Sequence, residues 1–343
     1  MGNVNILDRI KKYRTISIIG MDKNVGKTTA LNYILEKARG SITLGLTSIG
    51  RDGEDKDRVT ETEKPRIYIE SGTYIATSKQ CLFNGDITKE IMETTNIHTP
   101  MGEVVIAKAV SDGYVELGGP SINAYMKQIC ERLSALGCEK IIVDGALSRK
   151  TTASPIVTEA CILSTGASLS SSMSKVVEQT AHTVNLLSLE AEEDTKIIDA
   201  VNKELSVSRV GIIYKDLRVR DLMAATAFEA AKEITESLGE DVSHVLIRGV
   251  VTDKLIEDIL KATDKYRGIT FLVEDGTKLF IKRDTLYKFQ KLGGAIKTLE
   301  SINLVCVTCN PKSPYGYEFD KIAFLESLRK NISIPVFDLM EED

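Results

Sequence analysis

Short, largely apolar runs that end in glycine or an acid alternate with longer segments whose apolar positions recur every three to four residues. Runs of the first kind read as strands buried on both faces; the second spacing reads as a helix with one face on the core. Thr15–Gly20 predicts a strand. Gly26–Ala38 predicts a helix with Ala30, Leu31, Ile34 and Leu35 turned inward, and Ile42–Thr47 the next strand. Strand and turn signals follow at Arg66–Glu70, Tyr74–Ala76, Glu103–Val110 and Tyr114–Leu117. Beyond them come a helix over Ser121–Leu136, a strand over Lys140–Val143, the apolar run Ala160–Ser164 and a helix over Met173–Leu189. Alternation of this kind predicts an α/β fold, a parallel sheet with helices on both faces.

The acidic run Glu190-Ala-Glu-Glu-Asp194 breaks the rhythm and predicts a boundary, with one domain over 1–190 and a smaller α/β domain over 196–343. In the second half, strands are expected at Val210–Tyr214, Val245–Val250, Ile269–Val273, Leu304–Thr308 and Val336–Leu339. Helices are expected between them at Leu222–Leu238, Thr252–Ala262, Leu286–Leu299 and Phe319–Lys330. A length of 343 residues agrees with two cores, because single cores stop growing near ~250–300 residues.

Hydrophobic residues make up 43% of the chain and charged residues 27%, enough apolar material that the fold needs no disulfide or metal to hold it. The net charge is −5, with Lys and Arg scattered among acids, so no nucleic-acid face is expected. The longest apolar stretches fall far short of a membrane span, and Met1–Arg14 has no signal-peptide core. The expectation is a cytoplasmic protein with no membrane partner. Cys306 and Cys309 form a CxxC, but side chains three apart in a strand face opposite ways, which argues against a shared metal.

The strongest chemical signal is Gly20-Met-Asp-Lys-Asn-Val-Gly-Lys-Thr-Thr29, between a predicted strand and a predicted helix. Loop N–H groups and the unpaired N–H groups of a first helical turn converge on one spot, and the helix dipole favours negative charge there. The expected phosphate cradle is Lys23, Asn24, Val25, Gly26, Lys27, Thr28 and Thr29. Lys27 reaches the β- and γ-phosphates, and the Thr28 hydroxyl ligates Mg²⁺. ATP and Mg²⁺ are the expected ligands. One departure from GxxxxGK[ST] stands out: the first-glycine position holds Met21, and the glycine comes one residue earlier at Gly20.

Two further acids belong to the same chemistry. Lys140-Ile-Ile-Val-Asp144 delivers a carboxylate at a strand exit, where ligands bind in open α/β sheets. Asp144 is read as a catalytic acid that holds Mg²⁺ or orients the attacking water; the competing reading is an Asp-Gly turn. Thr47-Ser-Ile-Gly-Arg-Asp52-Gly-Glu-Asp55 has the composition of a switch segment, with Asp52 either a metal contact or part of a solvated loop. Weaker candidates are Thr165 and Gly166, which either line the cleft or form a plain loop. Asn310-Pro-Lys-Ser-Pro-Tyr-Gly-Tyr317 reads as a turn or binding loop of the second domain.

The first half resembles the SIMIBI group of P-loop proteins, which includes dethiobiotin synthetase. Val143-Asp-Gly-Ala146 looks like that enzyme's acid-Gly-Ala segment and Leu46-Thr-Ser48 like its second-strand exit, although Leu147-Ser148 replaces the following glycine pair. Over its whole length the chain resembles the reactivase subunits of lysine 5,6-aminomutase. The segments that carry this are Lys23–Thr29, Gly45–Asp55, Asp144–Lys150 and Asn310–Pro314. The resemblance implies a nucleotide-driven chaperone that restores an adenosylcobalamin- and pyridoxal-phosphate-dependent lysine 5,6-aminomutase, beside a MutS-like ATPase subunit. The synthetase likeness implies instead a ligase that phosphorylates a small carboxylate.

Overall fold

The computed structural model describes residues 6–50, 67–145, 154–223 and 230–339. The chain opens with α1 (Ile6–Ile10), β1 (Thr15–Gly20), α2 (Lys27–Lys37) and β2 (Leu44–Ser48). After β3 (Ile67–Ile69) come β4 (Tyr74–Ser78), α3 (Lys79–Asn84), β5 (Lys89–Thr99), β6 (Gly102–Ala109) and β7 (Gly113–Val115). Next are α4 (Asn123–Ala135), β8 (Lys140–Asp144), β9 (Ala160–Gly166) and α5 (Met173–Leu187). A second series follows: α6 (Thr195–Glu204), β10 (Val210–Tyr214), β11 (Val219–Asp221), α7 (Ala230–Ser237), β12 (Val242–Ile247), β13 (Val251–Thr252) and α8 (Asp253–Ala262). It continues with β14 (Thr270–Val273), β15 (Leu279–Phe280), α9 (Arg283–Lys291) and β16 (Ala295–Thr298). The chain ends on β17 (Leu304–Asn310), α10 (Lys321–Asn331) and β18 (Val336–Phe337).

Two compact units result, one of residues 1–181 with 303–343 and the other of residues 182–302. The first is built on a sheet of order β18-β17-β9-β1-β8-β2-β4-β6-β5. From β18 to β4 every neighbouring pair is parallel, and β6 and β5 add an antiparallel edge. The α/β fold class read from the alternation is therefore the fold seen. Central strands β1, β8 and β9 are almost wholly buried, as strands covered on both faces must be. On one face Ala30, Leu31 and Ile34 of α2 pack with Ile16, Ile18 and Ile142; on the other Met126, Ile129 and Leu133 of α4 pack with Ile141 and Val143.

The predicted boundary moves, because residues 303–343 do not stay with the second unit. β17 pairs in parallel with β9, from Leu304 against Cys161 to Asn310 against Gly166, and completes the first sheet. The second unit is an insertion that begins within α5, at His182, and ends before β17, with its own five-stranded sheet of order β11-β10-β12-β14-β16. The acidic run is part of that unit. Buried Glu192 accepts the N–H groups of Glu193 and Asp194 at 3.0 Å each, lies 3.2 Å from Lys297 Nζ and 3.3 Å from His244 Nε2, and its own N–H donates to Thr298 at 2.8 Å. One carboxylate of a run that looks like a solvated linker in sequence, Glu192, is here the buried centre of an ion cluster, while Glu190, Glu193 and Asp194 stay exposed.

One predicted helix is also cut short. Leu286–Leu299 resolves into the end of α9 and the strand β16, because Gly293 takes a left-handed conformation (φ +97°) that stops the helix. Among the described residues no helix is long and apolar enough to cross a membrane.

Candidate nucleotide site

The parallel register brings the C-terminal ends of five strands of the first unit to one edge. Ile18 of β1 and Ser48 of β2 both pair with Asp144 of β8, Gly20 pairs with Ser164 of β9, and Gly166 pairs with Asn310 of β17. The loop Met21–Gly26 leaves β1 at this edge and turns into α2. Met21 N–H donates to Ser164 O at 2.9 Å, which pins the loop to its neighbour as it leaves the sheet.

Two positions in the loop depend on missing side chains. Gly26, at the N-cap of α2, has φ +93° and ψ +16°, a left-handed turn that glycine adopts without a Cβ penalty, and no side chain caps the helix there. The N–H groups of the first turn are thus left to point outward. A Cβ on Gly20 would come within 2.8 Å of both Lys27 Cδ and Val25 Cγ2. The early glycine, out of step with the usual motif, makes room for the aliphatic stem of Lys27.

Lys27 and Asp144 attract each other at this edge, and each favours the other's charged form against the cost of burial. Burial lowers the pKa of Lys27, while the Asp144 and Asp22 carboxylates raise it. Burial pushes the Asp144 carboxyl up to about 6, against the opposing pull of Lys27. Lys27 Nζ donates to the main-chain oxygen of Asp22 at 3.2 Å. Thr28 lies in the first turn of α2. A hydroxyl and a carboxylate are hard oxygen donors of the kind Mg²⁺ prefers, and the open first turn with Lys27 is of the kind phosphate prefers. The residues present fit both ligands.

Lys23, Asn24 and Val25 are placed with the rest of the loop. Lys23 O accepts Ser168 Oγ at 2.9 Å, Asn24 is left-handed (φ +58°), and Val25 is buried. Thr29 is exposed on α2, past the loop's phosphate-facing end. Asp52 and Arg51 lie outside the described residues, as do 146–149 beyond Asp144.

Asn310 is the residue that sequence reasoning put in the wrong place. Its side-chain amide donates to Asn24 O at 3.2 Å, its Oδ1 accepts Lys312 N–H at 3.0 Å, and its Cβ lies 3.3 Å from where a Cβ on Gly26 would be. Gly166 is required by the same contact: a Cβ there would stand 2.7 Å from Asn310 O. The loop after Asn310 is tied down as well, with Tyr317 OH donating to Ala167 O at 2.7 Å and Phe319 N–H to Pro311 O at 2.9 Å. The segment taken for a loop of the second domain therefore belongs to the first unit, and its first residue, Asn310, touches the P-loop. A polar residue at the exit of an apolar strand is the signal that found Asp144, and it applies equally to Asn310.

Asn310→Ala removes the tether to Asn24 and leaves the sheet intact. ATP affinity is expected to fall about three- to tenfold, since one hydrogen bond to a main-chain oxygen contributes ~0.5–1.5 kcal/mol. Calorimetric titration on the folded variant checks this, and an unchanged affinity would show that the tether does not order the loop.

No protein-family profile and no curated protein matches the chain. Among solved structures it is similar to one titled as pNOB8 ParA bound to nonspecific DNA, at 12% identity over 93% of this chain and 96% of that chain, with a TM-score of 0.24. The first unit has the P-loop fold. The sheet and its strand–loop–helix at Gly20–Thr29 carry that statement, and the distant likeness adds nothing to it. The exclusion of nucleic acid read from net charge is corrected here: the structure matched is titled as a DNA-bound protein, and net charge fails to exclude that partner on its own physics. A net charge sums over the whole chain and says nothing of how cations are placed on one face, so −5 does not exclude that class of partner. The DNA remains that protein's ligand.

Proposed function

We propose that the first unit binds ATP with Mg²⁺ at Lys23–Thr29 and hydrolyses it. The observation that supports this reading is the meeting of Lys27, the uncapped first turn of α2 and Asp144 at one sheet edge. Lys27 and the N–H groups of that turn bind the phosphates, the ammonium exchanging the Asp22 oxygen for phosphate oxygens. Thr28 and Asp144 would hold Mg²⁺, which neutralises phosphate charge when bound. Asp144 orients the water side of the site, and Asn310 braces the P-loop from the β17 side.

In the fuller reading the chain is the nucleotide-driven subunit of a chaperone that reactivates lysine 5,6-aminomutase. Its support is the likeness at Lys23–Thr29, Gly45–Asp55, Asp144–Lys150 and Asn310–Pro314. Inactivated aminomutase supplied with ATP, Mg²⁺ and fresh adenosylcobalamin should recover activity only when this protein is added. Asp144→Asn should keep ATP binding while cutting both hydrolysis and recovery on the order of a hundredfold. Full recovery without this protein refutes the chaperone role, and hydrolysis at the wild-type rate by Asp144→Asn reduces Asp144 to a turn residue. Stoichiometric phosphorylation of a small carboxylate would favour the ligase reading instead.

A further inference from the structure

Asp22 is an acid in a loop shaped for anions. Its Oδ1 accepts the N–H of Lys23 at 2.6 Å, so the carboxylate lies against the loop and occupies one of its N–H groups. Its main-chain oxygen holds Lys27 Nζ at 3.2 Å. Among the described residues, Asp22, Asp144 and the Lys23 ammonium act on the Lys27 ammonium. Two cations thus stand beside two carboxylates, and Asp22 offsets part of the attraction that an incoming phosphate would meet.

A bare triphosphate brings roughly four negative charges to such a site, and its complex with a divalent cation roughly two. Repulsion from a fixed carboxylate scales with the incoming charge, so the metal halves it. A P-loop without this acid would pay no such penalty for the bare anion. We propose that Asp22 is a specificity-determining residue that makes this P-loop discriminate against nucleoside triphosphate lacking a divalent cation. The inference rests on the nucleotide-site reading above and deepens it. Asp22 sets which ionic form of the ligand is accepted, and Lys27 supplies the attraction common to both forms.

The test measures ATP affinity by calorimetry, in excess Mg²⁺ and in excess EDTA, for the wild type, Asp22→Asn and Asp22→Ala. The Asn variant keeps an oxygen acceptor for Lys23 N–H and removes only the charge; the Ala variant removes both. In each, affinity for metal-free ATP should rise on the order of tenfold, with Mg²⁺–ATP affinity changing less than about threefold. The ratio of the two dissociation constants is the readout, because a merely structural role would move both constants together. A ratio equal to wild type in the variants overturns the proposal and leaves the nucleotide site standing, provided the wild type binds Mg²⁺–ATP. If the wild type binds no ATP in either condition, both readings fail.

Discussion

Lys27→Ala is expected to weaken ATP binding about ten- to hundredfold without unfolding the first unit. The side chain is half-buried and its stem runs over Gly20, yet it belongs to none of the apolar clusters that hold the sheet. What it supplies is charge: a charge-assisted contact contributes ~1.5–3 kcal/mol, and each 1.4 kcal/mol is tenfold in affinity. The variant relieves the desolvation of Lys27 but loses its attraction to Asp144 and Asp22, and the two effects oppose each other, so the melting temperature should stay near that of the wild type. Calorimetry for affinity and a thermal melt for stability check the two halves of the result. A folded variant that binds ATP as the wild type does would remove the P-loop reading altogether.

A chain ending at residue 302 is expected to lose the first unit as a folded body. It would lack β17, β18 and α10, and with them Cys306, Val307, Phe324, Leu328, Val336 and Phe337, all buried. Burying a large apolar side chain contributes about 1.5–3 kcal/mol. Six such losses reach about 10 kcal/mol, comparable with the ~5–15 kcal/mol that separates a folded domain from its unfolded chain. Strand β9, buried along its whole length, would also be left with an open edge. Nucleotide binding should vanish with the fold. Retention of a cooperative melt and of ATP binding in the shortened chain would mean that the C-terminal return is dispensable. Had the boundary near 190–196 held, that shortening would have spared the first domain.

Local patterns predicted the strands and helices around the P-loop, since a doubly buried strand and an amphipathic helix each carry their own periodicity. The placement of Lys27, Thr28 and Asp144 was readable for the same reason: each sits where one local element begins or ends. The internal end of α9 was missed although Gly293-Gly294 marked it, because the apolar spacing continued past the glycines into β16.

Long-range pairing had no such signature. Which sheet β17 joins depends on its register with β9, set by contacts some 140 residues apart in the chain, such as Thr308 Oγ1 to Ser164 Oγ at 2.8 Å. The sequence by itself determined that a P-loop would stand between a strand and a helix, with an acid ready at another strand exit. Only the tertiary structure decided that Asn310 touches that loop and that Glu192 is buried. Hydrophobic periodicity records which face of an element is covered, not which distant element covers it.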